Sequence, residues 1–117
     1  MSGYQTPEDL EYAQALVKLA PREAQAFLGL KNTAERADGF IPPKYRELMS
    51  MAVALITQCA YCIDVHSRNA LKEGATREEM AETVFIAAAL RAGAAVGHGL
   101  LAMRLFDEAA SAQAGKS

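Results

Sequence analysis

Apolar positions recur along this chain at the three-and-four spacing of an α-helix, and no stretch alternates at the period of a half-buried strand. Leu10, Ala13, Leu16 or Val17, and Ala20 form the first stripe. Thr6-Pro7-Glu8-Asp9 supplies its start: Thr6 as N-cap, proline at the first helical position, and two acids near the positive end of the dipole. Pro21 ends this helix or begins the next. Ala24, Phe27, Leu28 and Ala34 make a weaker second stripe, closed by Asp38-Gly39. Phe40-Ile41-Pro42-Pro43 is extended, because a residue before proline avoids the α region. Pro43 then opens a third helix, running from residue 44 to about 57. Residues 48–56 are apolar on every side except Ser50, which predicts a central helix covered all round by this chain or by a partner. Residues 59–72 read as a fourth helix stopped by Glu73-Gly74, and Thr76-Arg77-Glu78-Glu79 is a capping box for a fifth. Gly93, Gly97 and Gly99 either break that helix or let another approach closely. Leu100, Leu101, Leu105 and Phe106 suggest a sixth helix ending near Ser111. The expectation is an all-α single domain over residues 1–117, a bundle of about six helices with flexible ends at 1–6 and 112–117.

Charge and hydropathy narrow the partners. A formal net charge of −2 gives no basic footprint for nucleic acid or an anionic membrane. Residues 83–103 approach membrane-spanning length, but Arg91, His98 and three glycines favour a buried helix over a span. The N-terminus shows no basic region followed by an apolar segment, so a cytoplasmic protein is expected. Such an extensive apolar helix in so short a chain argues against a monomer.

The candidate chemistry lies between residues 57 and 66. Cys59 and Cys62 are the only cysteines, and His66 follows four residues on. On a helix, positions i, i+3 and i+7 share a face, so these three would sit together. A cysteine near a helix N-terminus gains thiolate character, and a nearby imidazole can take or hold its proton. The spacing thus offers an attacking thiol, a resolving thiol and a base. Inert packing of both cysteines is one alternative. Zinc is another, with Cys59, Cys62 and His66 as three ligands and Asp64 or His98 as extras. Haem attachment wants histidine where Ile63 stands, and a thioredoxin-like fold wants a βαβ pattern that is missing. Glu47 admits two readings. It complements the dipole of the third helix, or it orients the imidazole. The second requires the chain to reverse near Thr57-Gln58, since on one straight helix Glu47 and Cys59 would stand about 18 Å apart.

Glu47, eleven residues, Cys59-Ala60-Tyr61-Cys62, three residues and His66 together resemble the motif of the AhpD-like alkylhydroperoxidase / carboxymuconolactone decarboxylase superfamily. The resemblance covers roughly residues 39 to 108, including the helix that carries Arg91. It implies an all-α fold working as a homo-oligomer, often a trimer or hexamer, and a peroxidase cycle without cofactor or metal. By position, Cys62 would be the peroxidatic thiol, His66 its proton relay with Glu47 behind the ring, and Cys59 the resolving thiol. The substrate would be a hydroperoxide, and the reductant an external dithiol, a lipoylated protein in the best-known members. Some members carry a second histidine where this chain has Tyr61, which reads here as a packing or pocket-lining aromatic. Two other functions compete: a lyase of the decarboxylase type using Glu47 and His66 for proton transfer, and a non-catalytic redox-sensing oligomer. His98 reads as a packing residue, Arg91 as the partner of a buried carboxylate, and Met49, Met51 and Met80 as core.

Overall fold

The computed structural model describes residues 6–116, all of them helical or in short connections. A 3₁₀ helix, Pro7–Tyr12, runs into α1, Ala13–Leu19. Ala20 breaks the helical path, and Pro21 occupies the first turn of α2, Pro21–Ala34. The proline therefore begins a helix, where its missing N–H costs nothing. An irregular segment leads to α3, Pro43–Thr57, then α4, Ala60–Lys72, and α5, Arg77–Ala114.

Two local features set the turns. Gln58 takes a left-handed conformation (φ 60°) and ends α3 as its C-cap. Gly74 has φ +86°, a conformation that only glycine adopts without strain, and it turns the chain from α4 toward α5. At the start of α5 the expected capping box is formed: Thr76 Oγ1 accepts from the Glu79 N–H at 3.1 Å, and Glu79 Oε1 accepts from the Thr76 N–H at 2.9 Å. The other Glu79 oxygen accepts from Lys44 Nζ at 2.9 Å, so one side chain caps α5 and ties it to α3.

Helix α3 is central, packed by α4 on one side and the first half of α5 on another. The buried residues are Met51 and Ala54 of α3, His66 and Ala70 of α4, and Thr83 and Ala87 of α5. α1 packs along α2, and the 3₁₀ helix touches α4. Tyr61 Oη donates to Asp9 Oδ2 at 2.5 Å across that last contact. The carboxylate at Asp9 lies below its ordinary value through this bond and that from the Thr6 N–H, and Tyr61 is raised by the same bond.

Several expectations are corrected. There is no break at Gly93, Gly97 or Gly99: α5 runs 38 residues and absorbs the expected sixth helix, continuing to Ala114, three residues into the segment read as tail. A Cβ added at any of these glycines would meet nothing within 4 Å, so no helix of the same chain approaches there. Residues 83–103 are not buried by their own chain either. α5 holds an apolar window long enough to cross a membrane, and almost none of that window is covered. Its first half lies on α3, while Val96, Leu100, Met103 and Phe106 are all more than half exposed. α3 is likewise covered only in part, by α4 and α5, with Met49 and Val53 open. Arg91 meets no carboxylate among the described residues; its guanidinium donates to the Ile56 carbonyl at the end of α3. Residues 1–5, expected to be loose, lie outside the described residues.

Candidate active site

The reversal at Gln58 decides the site. The Cys59 N–H bonds back to the Ala54 carbonyl at 3.1 Å, closing the end of α3. Cys59 is then the N-cap of α4 rather than part of it, and its sulfur accepts from the Cys62 N–H at 3.3 Å. The two cysteines are joined as a disulfide with their Cα atoms 5.3 Å apart. His66 follows one turn beyond Cys62, on the face turned toward α3. Because α3 and α4 run back side by side, Glu47 on α3 meets it: Glu47 Oε2 lies 2.6 Å from His66 Nδ1. The imidazole side chain is only 9% exposed. A carboxylate beside a buried ring nitrogen holds the ring in place and sets which nitrogen carries a proton.

Cys62, His66 and Glu47 all line one cleft of about 450 Å³. Its other walls include Ile41, Met49, Val53 and Ala54, so the cleft pairs a polar end with an apolar body. Cys59 is absent from that lining. Of the predicted residues, the structure therefore brings Glu47, Cys62 and His66 to one cavity and sets Cys59 behind Cys62. Tyr61 does not line the cleft; it faces the 3₁₀ helix. His98 sits on the exposed part of α5 and takes no part. Met51 is core as expected, whereas Met49 is half exposed and forms part of the cleft wall.

Two residues had no signal in the sequence. Glu35, at the C-cap of α2, reaches His66 from the opposite side, with Oε1 3.2 Å from Nε2. Arg46 donates from Nη1 to the Ala34 carbonyl at 2.6 Å and from Nε to the Ile41 carbonyl at 2.9 Å, fastening the end of α2 to α3.

Residues 21–105 match the model of the carboxymuconolactone decarboxylase family. The chain belongs to this family. The match begins at Pro21 rather than near residue 39, so it takes in α2 and with it Glu35. The chain is 42% identical over 83 residues to "uncharacterized protein 4 in cox locus" of Paracoccus denitrificans, covering 71% of this chain and 74% of that protein. It is 32% identical over 93 residues to an uncharacterized protein of Cupriavidus necator, covering 80% and 81%. Among solved structures, it is similar to a carboxymuconolactone decarboxylase family protein from Legionella pneumophila, crystallised in its apo form. The TM-score is 0.63 at 35% identity, over 72% of this chain and 75% of that one. A protein from Methanobacterium thermoautotrophicum gives a TM-score of 0.65 at 30% identity, over 74% and 92%. The all-α fold is thus one that this family shares.

Proposed function

We propose that this family member is a thiol-dependent peroxidase that reduces hydroperoxides through a Cys59–Cys62 dithiol/disulfide cycle. The observation that carries the reading is a sulfur and a carboxylate-held imidazole sharing one cleft, Cys62 with His66 and Glu47. In the reduced protein the Cys62 thiol gives its proton to the His66 side and the thiolate attacks the terminal peroxide oxygen. The O–O bond breaks, Cys62 becomes a sulfenic acid, and the departing alkoxide takes the proton and leaves as alcohol. The Cys59 thiol, one helical turn away, then attacks the Cys62 sulfur; the S–O bond breaks, water leaves, and the disulfide forms. An external dithiol reopens it by exchange and is itself oxidised to a disulfide. A lipoylated protein is the reductant this reading favours. The apolar cleft walls suit an organic hydroperoxide better than hydrogen peroxide. The open faces of α3 and α5 suit a homo-oligomer; a trimer or hexamer is what the family resemblance implies, and a cytoplasmic location is part of the same reading.

Stopped-flow measurement of thiol oxidation with hydrogen peroxide and an organic hydroperoxide tests this, with mass spectrometry of the product. Rapid loss of two thiols and a mass decrease of two hydrogens is expected; cysteines that stay reduced sink the reading. The Glu47–His66 pair also favours a second one, a lyase in which those two residues move a proton and the sulfurs are bystanders. Turnover of a lactone acid by a protein with both cysteines replaced by serine would select it. A redox sensor would form the disulfide and yet sustain no turnover with a dithiol donor.

A further inference from the structure

His66 has two ring nitrogens, and the catalytic reading uses one orienting carboxylate. The structure supplies two. Glu47 on α3 takes Nδ1, and Glu35 at the end of α2 lies 3.2 Å from Nε2. Among the described residues, the charged and titratable groups that line the cleft with the ring are Glu35 at the end of α2, Arg46 and Glu47 from α3, and Cys62 on its own helix, with Lys31 behind Glu35. A neutral imidazole has one N–H donor and can satisfy one of the two carboxylates.

The placement of Glu35 is built. Its second oxygen is held by Lys31 Nζ at 2.5 Å, one turn earlier on α2. Arg46 grips both the last carbonyl of α2 and the Ile41 carbonyl, so the segment bearing Glu35 is pinned at either side. Gly39 makes room for that grip, since a Cβ there would lie 1.8 Å from Arg46 Nη2. Adjacent residues of α3 thus divide the work: Arg46 delivers Glu35, and Glu47 holds the far nitrogen. Glu35 is also the wetter of the two carboxylates, its side chain 27% exposed against 15% for Glu47.

We propose that Glu35 is a positioning residue of the site, which holds His66 Nε2 opposite Glu47 and exchanges its proton with solvent, with Arg46 as the strut that sets it there. The kinetic consequence rests on the thiol peroxidase reading; the coupling of Glu35 to the ring does not. In the cycle above, the proton that Cys62 gives to the ring is the one the alkoxide removes, and Glu35 beside Nε2 keeps the ring placed for that relay without adding a proton of its own.

The test compares wild type, Glu35→Gln, Glu35→Asp and Glu47→Gln. The first measurement is ¹⁵N NMR of the histidine rings in the oxidised protein, with His98→Gln used to assign the second ring. Glu35→Gln moves the Nε2 resonance of His66 and its pH dependence, and Glu47→Gln moves chiefly Nδ1. The second measurement is the rate of dithiol oxidation by an organic hydroperoxide from pH 5 to 9. Glu35→Gln lowers it about tenfold with a displaced pH profile, on the scale of an outer partner of a reacting group, and Glu35→Asp recovers most of the loss. Ring resonances and a pH profile that superimpose on wild type overturn the proposal, as does a rate loss that only follows a lowered melting temperature. If wild type oxidises no thiols with peroxide, the functional reading fails, and the NMR measurement alone still decides for or against Glu35.

Discussion

Glu47 and His66 are 19 residues apart in sequence and 2.6 Å apart in space. That pair is where single substitutions should act most selectively. Replacing Glu47 by Gln keeps the shape and removes the charge. The rate of thiol oxidation should then fall about 100-fold, the low end of general acid–base contributions, as stopped flow would read. The cysteines should separate by role. Cys62→Ser abolishes peroxide consumption, because the cleft then holds no thiol. Cys59→Ser leaves one oxidation equivalent as a sulfenic acid at Cys62, trapped by a dimedone label and seen by mass spectrometry. Labelling of Cys59 in Cys62→Ser, with none of Cys62 in Cys59→Ser, would reverse the assignment of the attacking sulfur.

At the scale of elements, the helices are tied by a few polar contacts whose charges set a pH window. The Lys44 bond and the capping bond from Thr76 hold Glu79 below the ordinary carboxylate value, and the Tyr61 bond does the same for Asp9. A depressed folded value means stability that is present above the unfolded value and lost as pH falls through the folded one. Lys44 is raised by Glu79, and Tyr61 by Asp9, so their share is present below about 10 and lost as the pH rises further. Melting temperature should therefore be flat across neutral pH and fall below about pH 4 and above about pH 10. Tyr61→Phe should remove the Asp9–Tyr61 part at both limbs. Thr76→Ala deletes the α5 cap and should cost about 1 kcal/mol, measured by urea unfolding.

At the scale of the whole molecule, the single chain is not a closed body. Its radius of gyration is 20.6 Å and its longest extent 64 Å. A compact chain of this length would have a radius near 13–14 Å. Thirty-eight residues of α5 alone reach about 57 Å at 1.5 Å per residue. The described core holds no large side chain that is fully enclosed, while α1, α2 and α5 expose leucines and phenylalanines along their length. The proposed homo-oligomer would cover apolar surface on that scale. Light scattering after size exclusion should give a multiple of 12.5 kDa, and melting temperature should rise with protein concentration. Leu100→Glu with Phe106→Glu should lower both the mass and the melting temperature; a compact, stable monomer in wild type would contradict this account.

Much of this was written in local chemistry. Prolines 7, 21 and 43 start helices because they fix φ and lack only a donor that a first turn does not use. The Thr76 box and Gly74 mark α5 and the turn before it, since caps involve neighbours within four residues. The spacing from Glu47 to His66 was legible as a site because a reversal at Gln58 is a matter of one residue's backbone. Glycines misled for α5: each costs about 1 kcal/mol against alanine, and with no proline among residues 77–114 that is too little to stop a helix rich in alanine and leucine. Glu35, Asp9 and the Ile56 carbonyl under Arg91 had no local signature. Each meets its partner across 31 to 52 residues of chain, and only the packing of one helix end on another brings the charges within reach. Periodicity and caps determined which residues form helices and where along them the two cysteines fall. Tertiary structure alone decided that a second carboxylate faces the histidine, because such contacts depend on where whole helices lie.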